Sequence, residues 1–189
     1  MKQIHTIQDL LDMGFKVVSK AYLKENNLLG FKHLKINNQF NSSRKDLIGE
    51  VLNTKLNTGK WVYAIVSSNG EILKTGKAEC KGGITGRLGS YLSGNPKYNE
   101  NDSGKPTNAS TNRRAYKAIV DLLNQNLEVE FLAYPVPVEY KEEKIWDVTK
   151  IVPKQNVQQF EQVLYEKLNL SYTLNGKPKW NRENKAFKS

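Results

Sequence analysis

The run Trp61-Val62-Tyr63-Ala64-Ile65-Val66 constrains the fold of this chain more than any other stretch. It is short and apolar, and Ser67-Ser68-Asn69-Gly70 follows it; Asn-Gly between apolar runs is a strong tight-turn signal. Ile72-Leu73-Lys74-Thr75-Gly76 is a second strand-like run, so residues 61–76 predict a β-hairpin. Beyond Gly82 and Gly83, the segment Arg87–Leu92 predicts a helix that ends at Gly94. Arg87 and Tyr91 are four apart and share one helix face. Two strands and a helix therefore present Tyr63, Lys74, Arg87 and Tyr91, a set of phenols and cations suited to phosphodiester chemistry.

The residues before this hairpin predict an N-terminal extension, 1–60. Thr6 and Asp9 have capping-box spacing for a helix over Ile7–Met13, ended by Gly14. Phe15–Ser19 and Leu28–Phe31 read as short strands around the polar loop Lys24–Asn27. The extension carries ten basic and five acidic residues, which suits a DNA-binding or dimer-forming arm as well as a solvated cap. Residues 61–189 form the rest of the domain. Within them 95–112 is polar and rich in Asn, Ser, Gly and Pro, a surface loop. Arg113-Arg114 open a helix over Ala115–Asn124, and Leu127–Tyr134 reads as a strand. Pro135–Pro153 mixes acids and bases and reads as a connection. Gln155–Leu168 has Val157, Phe160, Leu164 and Leu168 at helical spacing. The chain closes on a proline-anchored turn in a basic tail.

Charge narrows the partner. Lys and Arg total 29 against 19 Asp and Glu, a net charge of +10, which suggests an anionic partner such as nucleic acid. Arg113 and Arg114, beside a helix start, are candidate phosphate contacts, and Lys77 and Lys179 join them as candidate DNA-binding residues. The single cysteine, Cys80, excludes an internal disulfide and fits a reducing compartment. His5 and His33 are isolated, and no spacing suggests zinc. No apolar run has membrane-spanning length, and the N-terminus lacks a signal-peptide core. The expected location is the cytoplasm.

The stretch 61–94 resembles the catalytic half of the GIY-YIG nuclease superfamily. Val62-Tyr63 stands where that family has the end of its first motif. Lys74-Thr75-Gly76 stands at the second, with lysine in place of its tyrosine, and Arg87 matches the arginine of the following helix. Arg-x-x-x-Tyr together with that lysine looks most like the superfamily's type II restriction endonucleases. Phe160-Glu161-Gln162-Val163-Leu164-Tyr165, followed by Pro178-Lys179-Trp180-Asn181, also resembles the family, where a helix carries the metal-binding glutamate and a Pro-x-x-Asn element closes the domain. The resemblance implies an α+β fold, and the elements read above supply it: a small central sheet from the 61–76 hairpin and the 127–134 strand, flanked by helices. It implies Glu161 as metal ligand, with Glu166 as the alternative, and Asn181 as a site-supporting residue. Tyr91 would replace the missing second-motif phenol.

The chemistry agrees. Phosphodiester hydrolysis needs an activated water, charge neutralisation on phosphate, and help for the leaving oxygen. One Mg²⁺ per site, held by Glu161, would stabilise charge. Arg87 suits a non-bridging phosphate oxygen. Tyr63 is the candidate general base, with Lys74 favouring its phenolate, and Tyr91 could bond the phosphate or the water. Taken singly, Tyr63 would pass for core, Lys74 for a solvated strand residue, and Arg87 and Glu161 for helix surface charges. Their order along the chain carries the reading: a Mg²⁺-dependent, sequence-specific endonuclease for double-stranded DNA, acting as a homodimer. The alternatives are a homing- or repair-type nuclease, or a basic DNA-binding protein with an inactive core.

Overall fold

The computed structural model describes residues 3–25, 27–34, 55–94, 111–146, 148–168, 173–174 and 177–178. The expected loop at 95–112 falls largely outside them, as do Lys179 and Asn181.

The first helix, α1 (Ile7–Asp12), starts where its cap dictates. Thr6 Oγ1 accepts from Asp9 N at 3.2 Å, and Thr6 N donates to Asp9 Oδ2 at 2.9 Å. Two strands follow, β1 (Lys16–Leu23) and β2 (Leu29–His33), and then the hairpin β3 (Trp61–Ser67) and β4 (Ile72–Ala78). Gly70 has φ +88° in the turn between β3 and β4, a conformation glycine adopts without strain. The helices α2 (Gly83–Leu92) and α3 (Thr111–Asn124) precede β5 (Val129–Pro135). Next come β6 (Glu139–Ile145), β7 (Val148–Lys154) and α4 (Val157–Lys167). A two-residue pair, β8 (Thr173–Leu174) and β9 (Lys177–Pro178), ends the described chain.

Five strands form one antiparallel sheet in the order β2-β1-β5-β3-β4. Residues alternate between its faces. Trp61, Tyr63, Ile65, Phe131 and Ala133 join Ile84, Leu88 and Tyr91 of α2 and Ala115 and Ile119 of α3 in one core. Val62, Ala64, Val66 and Leu132 join Leu10 of α1 and Val157 and Leu164 of α4 in the other. Layers on both faces leave every residue of β3 buried. That is why the strand is an unbroken apolar run rather than an alternating one. The fold is α+β with helices on both sides of a central sheet, and no helix among the described residues is long and apolar enough to cross a membrane.

Three features differ from the sequence reading. The sheet is larger than the 61–76 hairpin plus one strand, because β1 and β2 extend it through β5. Those strands lie in the 1–60 extension, so their removal would bare the hydrogen-bonding edge of β5. The second difference is in Pro135–Pro153, which holds the β6–β7 hairpin instead of a plain connection. Its strands are solvated on both faces, so nothing imposes the apolar alternation that marks a strand. Its Trp146 turn also lacks an Asn-Gly signal. The third is α2, which begins at Gly83, four residues early.

Gly83 explains the placement of α2. Its φ is +54°, and a Cβ there would lie 2.6 Å from Leu56 O and Thr58 N. The helix starts against the 56–58 backbone at a distance only glycine permits. Gly89 lies on the exposed side of the same helix, and a Cβ added to it would meet nothing within 4 Å. Opposite outcomes are expected in thermal unfolding: Gly83→Ala should cost about 2 kcal/mol or more, whereas Gly89→Ala should add about 0.5–1 kcal/mol. Equal effects of the two would contradict this account of the helix start.

Candidate active site

Strand pairing creates the site. Tyr63 on β3 lies opposite Gly76 on β4, and its ring leans across that glycine. A Cβ at position 76 would lie 2.6 Å from Tyr63 Oη, so the glycine gives the phenol its room. From the adjacent helix, Ile84, Leu88 and Tyr91 are buried against the sheet. This rotation of α2 carries Arg87, one turn before Tyr91, to the same place.

The three side chains are bonded together. Tyr63 Oη and Tyr91 Oη are 2.6 Å apart. Arg87 Nε donates to Tyr63 Oη at 3.1 Å, and the guanidinium lies 5.0 Å from the Tyr91 ring centroid, within cation–π range. Arg87 Nη1 donates to Ser90 Oγ at 3.2 Å, and Ser90 Oγ donates in turn to Arg87 O at 2.6 Å. Ser90 thus fixes the guanidinium on the side away from Tyr63. Nothing in the sequence reading singled out Ser90; its place three residues after Arg87 on a helix was the available signal.

Electrostatics assign the protons. Burial pushes the Tyr91 phenol well above its ordinary value of 10.0, and the neighbouring Tyr63 adds to that. Tyr91 therefore keeps its proton, and either hydroxyl can donate in its bond with Tyr63. Burial works against the charge of Arg87, but Tyr63 and Tyr91 more than offset it and hold the guanidinium above its usual range. The Tyr63 oxygen thus has a cationic donor, Arg87 Nε, and a hydroxyl neighbour, Tyr91.

Glu161 approaches from the other layer. Helix α4 packs on β4 through a face that buries Val157 and Leu164. Its start is capped by Asn156, whose side chain accepts from Gln159 N. Glu161 is half-buried. Burial raises its carboxyl above the usual 4.5, against the opposing pull of Lys77, Lys74 and Arg87; Glu79 raises it further. Its electrostatic neighbourhood thus joins α4 to both β4 and α2. Glu166 faces solvent and accepts from Gln162 Nε2 at 3.1 Å, away from these cations. Lys74 is buried, opposite Ile65 in the pairing. Lys77 is paired with Glu79 at 2.9 Å, which draws it and Glu79 into the Glu161 neighbourhood.

Arg113 lies where α3 begins, next to the end of α2 at Gly94; its Nη1 is enclosed and the residue as a whole is partly exposed. The side chain of Arg114 lies outside the described residues, as do Lys179 and Asn181. The β9 backbone, immediately before Lys179, lies against β4.

The fold is similar to that of a solved phage protein. A mutant of bacteriophage T4 EndoII superposes with a TM-score of 0.52 at 16% identity, covering 94% of this chain and 100% of the phage protein. The restriction endonuclease HPY188I, solved with product DNA, superposes with a TM-score of 0.44 at 19% identity, covering 86% of this chain and 78% of that one. No family model and no curated protein sequence matches the chain. The five-stranded sheet with its flanking helices is therefore a fold that this chain shares with a phage endonuclease.

Proposed function

We propose that this chain is a Mg²⁺-dependent, sequence-specific endonuclease for double-stranded DNA, of the type II restriction kind. The observation that carries the reading is the bonding of Tyr63, Arg87 and Tyr91 to one another, with a half-buried Glu161 in electrostatic reach of Arg87, Lys77 and Lys74. The net charge of +10 and a fold shared with a phage endonuclease support it. The place of action is the cytoplasm, and the working unit is a homodimer, because one such site attacks one strand and a palindromic duplex offers a matching two-fold axis.

The donor chemistry fits Mg²⁺. Among the described residues no group of three or more His, Cys, Asp and Glu comes together. Mg²⁺ commonly takes one or two carboxylates plus substrate phosphate and water, and Glu161 is such a carboxylate. Its charge is penalised by burial, and a bound divalent cation offsets that penalty. When bound, the ion supplies charge neutralisation at the phosphate and at the departing oxygen.

The chain's own residues do the rest. Arg87 neutralises a non-bridging oxygen of the scissile phosphate. Tyr63, as phenolate, takes a proton from the attacking water; the water oxygen bonds to phosphorus as the bond to the leaving oxygen breaks. Tyr91, wholly buried with its hydroxyl on Tyr63 Oη, acts as a positioning residue and not as a direct phosphate contact. Lys77 contributes to the local cationic field, as does Lys74. Asn181, Lys179, Arg113 and Arg114 keep their proposed roles in supporting the site and contacting DNA.

One observation favours a second reading, a DNA-binding protein with an inactive core. Tyr63 and Tyr91 are each 0% exposed, and a phenol closed off from water accepts no proton from it. The nuclease reading requires half-buried Arg87 to move onto the phosphate and uncover Tyr63 Oη. Incubation with plasmid separates the readings. Discrete fragments with Mg²⁺ support a restriction enzyme, scattered nicks a repair- or homing-type nuclease, and binding alone the inactive core. Tyr63→Phe and Glu161→Gln should each lower single-turnover cleavage by about 10²–10⁴-fold with DNA affinity nearly unchanged. Substantial Mg²⁺-dependent cleavage by Glu161→Gln would reject the metal ligand.

The raised pKa of Glu161 adds a test of stability. In the folded chain the carboxyl holds its proton to higher pH than in the unfolded chain. Its linked stability is therefore fully present below the unfolded value and lost as pH rises through the folded one. Without Mg²⁺ at neutral pH, Glu161→Gln should melt at a higher temperature than the natural chain. That advantage should vanish below the ordinary glutamate range. Melting curves across this interval decide it, and a lower melting temperature for the variant at neutral pH would contradict the burial penalty.

A further inference from the structure

We propose that the β6–β7 hairpin is the surface through which two copies of this chain pair. This builds on the homodimer proposed above, but its test needs no cleavage. The two strands are bonded only to each other among the described residues. The base of the hairpin is tied to the core: Gln155 Nε2 donates to Val136 O at 2.8 Å, and Val136 N donates to Lys60 O at 2.9 Å. Beyond that base it carries exposed apolar side chains along its whole length. Trp146 at the turn is 92% exposed, Ile151 69%, Val148 50% and Tyr140 49%. Tyr140 lies opposite Pro153, and Ile151 lies opposite Glu142, so Tyr140 and Ile151 are diagonal neighbours on one face.

A lone two-stranded hairpin is marginal in water, and open strand edges are templates for pairing. Charge decides which partner fits. Four acidic residues, Asp147 among them, and four basic ones fall between Glu139 and Lys154, so the entire +10 excess of the chain lies elsewhere. An arm that grips phosphates by charge would carry part of that excess. Two copies each bearing +10 repel one another everywhere except across neutral ground, and the hairpin is such ground. A two-fold axis beside Ile151 would set β7 antiparallel to its copy. Ile151 would then meet its own counterpart, and Lys150 would face Val152 of the partner subunit, so no like charges would be directly opposed.

The test is sedimentation of the full chain at micromolar concentration, free and with a DNA duplex. The natural chain should run as a dimer. Trp146→Ser combined with Ile151→Lys should weaken the dimer by at least about tenfold, as loss of central apolar anchors does, with unchanged circular dichroism. Ile151→Cys in a Cys80→Ser background should form a disulfide-linked dimer on oxidation, which tests the contact without depending on the charged variant's folding. A natural chain that stays monomeric both free and on DNA overturns the proposal and the homodimer together, leaving the nuclease reading to the plasmid assay. A dimer that persists in the double variant, without crosslinking through Ile151→Cys, overturns the hairpin contact alone. A double variant that stays dimeric but loses DNA affinity places the hairpin on DNA and also overturns the proposal.

Discussion

The contact of Tyr63 with Tyr91, 2.6 Å between hydroxyl oxygens, ties the sheet to the helix that carries Arg87. It can form only because of what each element lacks or buries. Gly76 has no side chain, so the phenol can cross β4. Gly83 has none either, so α2 can start against the 56–58 backbone and lie close to the sheet. The apolar residues Ile84 and Leu88 then fix the rotation of the helix. Arg87 arrives beside Tyr63 as a consequence of core packing, and Ser90 holds it there. The geometry of the candidate site thus follows from one glycine in the buried hairpin and one at the start of α2.

The second constraint is electrostatic. Glu161 is an acid that burial disfavours, placed within reach of Lys77, Lys74 and Arg87. A carboxylate kept for stability alone would be expected to gain more from its neighbours than it loses to burial. Here burial outweighs the opposing pull of Lys77, Lys74 and Arg87. The same cations that moderate the penalty would attract a phosphate diester. A negative substrate and a positive ion both suit this region, and each reduces the cost of the other.

Much of this was legible in the residues. The capping box at Thr6, the Asn69-Gly70 turn and the period of α4 are local signals, and local signals survive without tertiary context. Tyr63, Arg87 and Tyr91 were brought together on hairpin and helix-face arguments, and the structure places them in contact. Of the two glutamates that the resemblance implies as metal ligand, Glu161 is half-buried among cations and Glu166 faces solvent, a difference that helical spacing does not encode. Less visible was whatever depends on partners distant in sequence. The joining of β1 and β2 to β5 requires register between segments far apart in the chain. The reach of Arg87 to Tyr63, the enclosure of Arg113 and the hydrogen bond of Ser90 depend on side-chain packing that spacing does not encode. The β6–β7 hairpin was missed because it buries neither face and so carries no period-two pattern.

The central claim is that the Tyr63 oxygen accepts the proton of the attacking water. Replacing Tyr63 alone with a fluorinated tyrosine makes the phenol more acidic while leaving its size nearly unchanged. Single-turnover cleavage of DNA would then be followed across pH for both proteins. The account predicts that the acid limb of the profile moves to lower pH in the fluorinated protein, in step with the acidity of the phenol. An acid limb that stays in place, with cleavage otherwise intact, would contradict it.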